Sequence, residues 1–196
     1  MTWLRRFTER LASWRLVAVL AVPTLALFCI FNFHPAAVPY LVEAGKGMQP
    51  LDIQIGYGPR EVQSLLTTYD VDGRERYRLF LIADTVFAVC YGLMLTGLLR
   101  LLLRPPVAAA GSRWNDQCFV WLFAGAADCL ENVCILILLG IYPVTPPALV
   151  YTASVATIVK WSLAAVGMVA ILFATGVRLA RRTGRRRPGD ALSGSG

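Results

Sequence analysis

The sequence predicts an all-α integral membrane protein, a bundle of four membrane-spanning helices with a short amphipathic helix in its first outer loop. Of the 196 residues, 57% are hydrophobic and 16% are charged, and the mean hydropathy is +0.58. Soluble domains are typically about a quarter charged. Four segments are also apolar over about 20 residues, the length that a helix needs to cross a bilayer. This composition excludes a disordered chain and disfavours a water-soluble globule.

The four predicted spans are residues 16–33, 79–103, 117–141 and 148–177. Each is predicted to be helical because hydrocarbon offers no hydrogen-bond partners to an open backbone, whereas a helix satisfies its own. Pro23 is expected to bend the first span, and Pro105-Pro106 and the prolines at 143–147 mark turns. The chain 1–196 is therefore interpreted as a single four-span domain. An outer loop is predicted at 34–78 and a basic, disordered tail at 178–196.

The first span also has features of a secretory signal, since four arginines precede its apolar run. However, the segment Phe33-His34-Pro35-Ala36-Ala37 places no small-x-small cleavage motif directly behind the apolar core. An uncleaved anchor is the favoured interpretation.

Positive charge predicts the orientation of the spans. The N-terminal tail, the 100–116 connection and the C-terminal tail carry 13 of the 19 Lys and Arg residues. The outer loop carries five against six acids, and residues 142–147 carry none. Because positively charged loops stay in the cytoplasm, both termini are predicted to be cytoplasmic in a cytoplasmic (inner) membrane.

The arginine run 185–187 is interpreted as part of this topology signal, and the alternative is a patch that binds nucleic acid or anionic lipid. Nucleic acid is not an expected partner, because the aromatic residues lie in the spans and not among the arginines. Membrane lipids are expected partners on either interpretation of the run.

The outer loop contains two predicted elements. Residues 51–55 alternate apolar and polar side chains, which predicts a short extended piece. Gly58-Pro59 then opens a predicted helix. Four residues share one face of that helix, namely Val62, Leu65, Leu66 and Tyr69. This face is expected either to pack on the outer mouth of the bundle or to lie in the lipid interface.

The segment Asp70-Val71-Asp72-Gly73 begins like a calcium-binding loop, with acids at positions one and three. The fifth position is Arg74, however, and glycine falls at the fourth position where the sixth is required. A turn is the favoured interpretation. From Arg74 a helix is expected to continue into the second span.

The cysteines and the single histidine exclude several chemistries. None of the five cysteines forms a C-x-x-C pair, so disulfide-exchange chemistry is poorly supported. His34 alone cannot supply the two or three imidazoles of a typical zinc or haem site. The sequence therefore predicts no metal site and no cofactor.

Ionisable residues inside the predicted spans are the strongest functional signal. There are four, Asp84, Asp128, Glu131 and Lys160. Each costs about 2.5–3.5 kcal/mol at the centre of a membrane helix, and such residues usually face the bundle interior. Counting inward at 1.5 Å per residue puts Glu131, Lys160, Asp128 and Tyr91 at a depth of about 15–20 Å, and Asp84 at about 7 Å.

Helical spacing places these residues on shared faces. Asp84 and Tyr91 are seven residues apart, while Asp128, Glu131 and Asn132 occupy positions i, i+3 and i+4. The predicted ligand-binding set is Asp84, Tyr91, Asp128, Glu131, Asn132 and Lys160.

The end of the first span is expected to extend this set outward. Asn32 and His34 would join Asp84 in a polar vestibule, with Tyr91 below. The alternative for His34 is an exposed residue at the membrane interface.

One lysine cannot neutralise two carboxylates at the middle of the membrane. In a purely structural interpretation, Lys160 pairs with Glu131 or Asp128, and Asn132 and Tyr91 complete the hydrogen bonds. In a functional interpretation, the second carboxyl group is protonated, or a ligand, a cation or a water chain accompanies it.

Two stretches, residues 51–84 and Asp128-Cys129-Leu130-Glu131-Asn132, resemble a known pattern. It recurs in uncharacterised small four-span bacterial integral membrane proteins with an acidic D-x-x-E-N third helix. The resemblance covers about a fifth of the chain. It implies no activity, and it implies that the outer loop and the acidic third helix belong to one unit.

Three functions remain open from the sequence. The leading hypothesis is a multi-pass membrane protein that binds a lipid or other lipophilic small molecule, or assists a membrane complex, through this cluster. The second is an intramembrane enzyme in which Glu131 or Asp128 performs acid-base chemistry on a lipophilic substrate, as in double-bond isomerisation. The third is proton-coupled transport, for which a homodimer is expected because four spans are few for a carrier.

Overall fold

The computed structural model describes residues 3–104, 107 and 117–184, without the side chains of residues 182–184. Within these ranges the chain forms helices and no strand, so the predicted all-α class is confirmed. The helices are α1 (Trp3–Leu11), α2 (Trp14–Phe33), α3 (Val38–Ala44), α4 (Pro59–Thr68), α5 (Val71–Leu102), α6 (Phe119–Ile141) and α7 (Pro147–Gly184), and a 3-10 turn covers Leu51–Ile53.

Four of these helices, α2, α5, α6 and α7, are long and apolar enough to cross a membrane. α2 continues through Pro23 without interruption. α1 is an additional helix ahead of the spans, and Arg100 of α5 lies 3.1 Å from Glu9 of α1. The predicted turn at Pro105-Pro106 and the arginine run 185–187 lie outside the described residues.

α7 is longer than the predicted fourth span, because it continues to Gly184 through part of the predicted tail. Helix propensity and a tertiary contact both favour this extension of α7. Arg178, Leu179, Ala180 and Arg181 are good helix formers. The Arg178 guanidinium also donates hydrogen bonds to the carbonyl oxygens of Leu101 and Leu102 at the end of α5. These carbonyls have no partners within their own helix.

The bundle is held together by α5, α6 and α7. α6 packs against α5 on one side and α7 on the other, and α2 packs on α5. α5 and α6 come closest at two glycines, where a Cβ added to Gly125 would lie 2.8 Å from the carbonyl oxygen of Ala88 and 3.3 Å from the Cα of Gly92. Small residues permit such close approach between membrane helices. α2 makes no extended contact with α7, which leaves a lateral gap between these two helices.

The predicted amphipathic helix is confirmed as α4. Its first turn is closed by Glu61, whose Oε2 accepts a hydrogen bond from the Gly58 N–H at 2.9 Å. Its apolar face is fully buried rather than lying in lipid, and Val62, Leu65 and Leu66 belong to one core cluster with residues of α3, α5 and α6. α4 therefore caps the end of the bundle at which α5 begins and α6 ends.

The start of α5 corrects the interpretation of residues 70–73 as a turn. Asp70 is the N-cap of α5, and its Oδ1 accepts a hydrogen bond from the Gly73 N–H at 2.7 Å. Asp72 and Gly73 lie in the first helical turn. A free backbone N–H at a helix start is a preferred partner of an aspartate side chain, so Asp70 is used for capping, whereas Asp72 pairs with Arg76.

The predicted extended piece at 51–55 is wrong, since Leu51–Ile53 form a 3-10 turn. The Tyr77 hydroxyl accepts a hydrogen bond from the Leu51 N–H and donates one to Asp52 Oδ1, both at 2.9 Å. Leu51 and Asp52 are both buried. The alternation of polar and apolar residues therefore does not reflect two opposite faces, because tertiary contacts with α5 determine the backbone.

Candidate functional site

Lys160 of α7 lies at the centre of a buried polar cluster. Three oxygens surround its Nζ: Oε2 of Glu131 at 2.6 Å, Oδ1 of Asp128 at 3.0 Å and the main-chain oxygen of Asp52 at 3.0 Å. An ammonium group has three N–H donors. Lys160 is 7% exposed; it donates hydrogen bonds to Asp128 and Asp52, and its contact with Glu131 is an ion pair.

The two carboxylates that face Lys160 each have a second polar neighbour. The Tyr91 hydroxyl donates a hydrogen bond to Asp128 Oδ2 at 2.9 Å. The Thr157 hydroxyl oxygen lies 2.5 Å from Glu131 Oε1. Lys160 therefore pairs with both acids at once, where the sequence analysis considered Glu131 or Asp128.

Asp84 of α5 has fewer partners than the other acids. Its Oδ2 accepts a hydrogen bond from Asn132 Nδ2 at 2.9 Å. Its other carboxyl oxygen accepts no hydrogen bond from the described residues, although Asp84 is only 8% exposed. The six residues predicted from the sequence thus converge on one side of the α5–α6–α7 contact, with Asp84 as the member that lacks a cation.

Asp52 is a member of the cluster that the sequence analysis missed. Its carbonyl oxygen contacts Lys160, which lies 13 residues along α7 from Pro147, at a distance of about 20 Å. The 3-10 turn therefore descends into the bundle, where non-helical backbone is tolerated only when protein surrounds it or it lines a cavity. Burial raises the pKa of the Asp52 carboxyl above its ordinary value, against the opposing effects of Lys160 and Tyr77.

No local signal in the sequence distinguishes Asp52 from the other five acids of the outer loop. The loop is also fastened to α7 at a second point, where the Tyr57 N–H donates to Ser154 Oγ at 2.9 Å. Gly56 precedes this contact with φ +81° beside the Ile158 side chain. A residue with a Cβ would be strained in that conformation.

A cavity of about 420 Å³ lies in the gap between α2 and α7, and we call it the groove. Its polar wall residues are Thr24, Asn32, Asp52, Asp84, Tyr91, Asp128 and Lys160, and its apolar ones are Phe28, Phe31, Val38, Ile53, Phe80, Phe87, Met94, Leu95, Trp161 and Ala164. Phe28 of α2 and Trp161 of α7 are 49% and 44% exposed. The groove is therefore open sideways, on the surface that would face lipid.

Three predicted residues do not line the groove. Glu131 and Asn132 are fully buried behind its wall. His34 is exposed, and its Nδ1 accepts a hydrogen bond from the Ala36 N–H at 3.2 Å, so the predicted vestibule includes Asn32 without His34. His34 follows the last residue of α2, and its ring is used to turn the chain after that helix.

No protein-family model, curated protein or solved structure matches the chain. Across the described ranges, no group of three or more His, Cys, Asp and Glu side chains is arranged to hold a metal ion. The chemistry of the site is therefore that of carboxyl groups, one ammonium group and aromatic rings around a laterally open cavity.

Proposed function

We propose that this protein binds a lipid or other lipophilic small molecule in the groove. The observation that carries the proposal is the composition of the groove wall, in which ten apolar or aromatic residues accompany seven polar ones. Ligand sites are typically cavities of about 300–1,000 Å³ with this composition. A lateral opening between α2 and α7 would admit a molecule directly from the bilayer.

Native mass spectrometry of the full-length protein in detergent tests this proposal. We expect a bound species with the mass of a lipophilic molecule. Ala164→Trp fills the groove with a large side chain and is expected to remove the bound species. Ala165→Trp is the matched control, because the neighbouring alanine is exposed and lies outside the groove wall. Equal occupancy in both variants, or no bound species in the wild type, would contradict the proposal.

The proposed location is the cytoplasmic (inner) membrane, with both termini in the cytoplasm. The clustering of arginines at the chain ends and in the 100–116 connection supports this orientation. A membrane-impermeant maleimide tests it on two exposed positions. Arg60→Cys is expected to react in intact cells, and Arg181→Cys only after lysis. The reverse pattern would show the opposite orientation.

An intramembrane acid-base enzyme is a second candidate function, and one observation favours it. Asp128 lies on the groove wall with its carboxylate between Tyr91 and Lys160, where a bound molecule would meet it. A positioned carboxyl group is the usual general acid or base for such chemistry. The carboxyl group of Glu131 lies behind the wall, so Asp128 is the better candidate of the two.

This alternative predicts that the bound lipophilic molecule changes chemically over time. The lipids extracted from wild-type protein and from Asp128→Asn should then differ in mass or in double-bond position. If wild type and Asp128→Asn bind equal amounts of lipid and the extracted lipids are identical, the enzymatic function is ruled out and binding stays as the proposed function.

A further inference from the structure

Acidic groups outnumber basic groups around the groove. Four carboxyl groups, those of Asp52, Asp84, Asp128 and Glu131, accompany a single ammonium group, that of Lys160, which contacts only two of them, the carboxyl groups of Asp128 and Glu131. Ionised carboxylates without a cation are costly to bury. A molecule bound here would therefore be favoured if it brought positive charge.

Lys160 cannot serve an anionic headgroup. Its ammonium donates hydrogen bonds to Asp128 Oδ1 and the carbonyl oxygen of Asp52, and Glu131 Oε2 lies 2.6 Å away as a third, ion-paired oxygen. A phosphate or carboxylate in the groove would have to displace one of these oxygens and would lie against the carboxyl groups of Asp84 and Asp128. Both effects disfavour an anion.

Asp84 offers an acceptor directly to the groove. The carboxyl oxygen that does not bind Asn132 has no hydrogen-bond donor among the described residues, and Asp84 forms part of the groove wall. The side chain is 8% exposed, so bulk water does not solvate it freely. An N–H donor or a cationic nitrogen of a ligand would supply the missing partner.

Aromatic rings flank Asp84 on the same wall. Phe80 and Phe87 lie four residues before and three residues after it on α5. The ring of Phe31 from α2 lies 4.8 Å from that of Phe80 and 5.7 Å from that of Phe87, and Tyr91 lies 5.2 Å from Phe87. The faces of aromatic rings attract cations, most strongly where water is excluded. An acid among four rings is a suitable environment for an organic cation.

We infer that the occupant of the groove carries a positively charged nitrogen on an apolar chain, and that Asp84 pairs with this nitrogen. This inference rests on the proposed function and specifies the ligand class. The nitrogen belongs either to a single-chain amine or to an aminophospholipid headgroup. In the second case the phosphate would have to remain outside the polar wall, because the oxygens of Asp128, Glu131 and Asp52 already surround Lys160.

Equilibrium binding to the full-length protein in a neutral maltoside detergent tests the inference. The probes are radiolabelled dodecylamine, dodecanol and dodecyl phosphate, which share one chain and differ in head charge. We expect saturable binding of dodecylamine at least about tenfold tighter than that of dodecanol, and weaker binding still of dodecyl phosphate. Displacement of dodecylamine by a short-chain phosphatidylethanolamine would identify the lipid headgroup as a source, and a lack of displacement would favour the single-chain amine.

Asp84→Asn should weaken dodecylamine binding about tenfold and leave dodecanol binding unchanged. Asp72→Asn is the matched control, since Asp72 is an exposed acid on the same helix that pairs with Arg76 outside the groove. If Asp84→Asn does not fold, Phe87→Leu keeps the site apolar while removing one ring, and it should selectively reduce amine binding several-fold.

The outcomes separate the two proposals. Saturable binding of dodecylamine and dodecanol with equal affinity, abolished by Ala164→Trp, would leave the groove as a lipophilic site and overturn the inference. Preference for dodecyl phosphate, or an amine preference unchanged in Asp84→Asn, would also overturn it. If no probe binds saturably and no native ligand is found, both proposals fail.

Discussion

Asn132 of α6 donates a hydrogen bond of 2.9 Å to Asp84 of α5, and this bond joins two neighbouring helices beside the groove. Asn132 is fully buried, and its amide is the donor that the described residues supply to Asp84. The bond therefore stabilises the helix contact while leaving one oxygen of Asp84 free for a ligand.

Removal of that donor should destabilise the fold. Asn132→Leu leaves a buried acceptor unpaired, which typically costs about 1–3 kcal/mol. Thermal unfolding of the detergent-solubilised protein measures the effect. The double variant with Asp84→Leu removes both partners and is expected to be more stable than Asn132→Leu alone. A double variant that loses the sum of both single effects would show that the two side chains are not coupled.

Loss of the buried cation should cost more. Lys160→Met leaves Asp128 and Glu131 without their shared partner, and breaking a buried ion pair on one side costs about 3–5 kcal/mol. A triple variant that also carries Asp128→Leu and Glu131→Leu should recover most of this stability. If the triple variant folds but no longer binds lipophilic molecules, the cluster has a function beyond holding the helices together. If the triple variant still binds lipophilic molecules, the polar cluster has only a structural role.

Asp52 predicts a pH dependence of stability. Burial raises the pKa of its carboxyl above the ordinary value of 3.8, so the folded protein binds this proton more tightly than the unfolded chain does. Protonation of Asp52 therefore stabilises the fold. This contribution to stability is present below the unfolded pKa and is lost as pH rises through the folded pKa. Asp52→Asn keeps the oxygen that accepts from Tyr77 and does not titrate.

The unfolding temperatures of wild type and Asp52→Asn should therefore diverge with increasing pH, with the wild type losing more. The comparison covers the range from about pH 4 to about pH 8. Parallel curves would show that Asp52 titrates as it does in the unfolded chain. Glu43→Gln, at an exposed acid of α3, is a suitable control for general charge effects.

The glycines between α5 and α6 give a steric prediction. A Cβ at Gly125 would lie 2.8 Å from the carbonyl oxygen of Ala88, so Gly125→Ala must push the helices apart. Overpacking of this kind typically costs about 1–3 kcal/mol. Gly140→Ala on the same helix is the matched control, because an added Cβ there meets no atom within 4 Å. An equal effect of both variants on thermal unfolding would contradict the close contact.

The sequence predicted the four long helices and the convergence of the six polar residues because both depend on helical period and apolar length. Asp84, Asp128, Glu131 and Lys160 belong to continuous helices, so spacing alone places them on shared faces. The position of Asp52 depends instead on a hydrogen bond from Tyr77, 25 residues further along the chain. Local pattern cannot show such a contact, and the alternation at 51–55 indicated an incorrect backbone for the same reason.

The shape of the groove could not be predicted from any span alone. It exists because α2 packs on α5 and makes no extended contact with α7. The exposed rings of Phe28 and Trp161 resemble ordinary lipid-facing residues in the sequence. Only the relative placement of the helices shows that they border an opening.

The helices on the two sides of the groove differ in how many of their residues are buried. α5 and α6 bury eleven and ten residues, whereas α2 buries three. In the proposed complex, Asp84 would therefore hold the head nitrogen from a firmly packed helix, while α2, which also contributes Phe31, could shift at small cost. Such a site would be selective for the headgroup of its ligand and would accept chains of different length and branching. It would therefore bind a class of membrane molecules rather than one species.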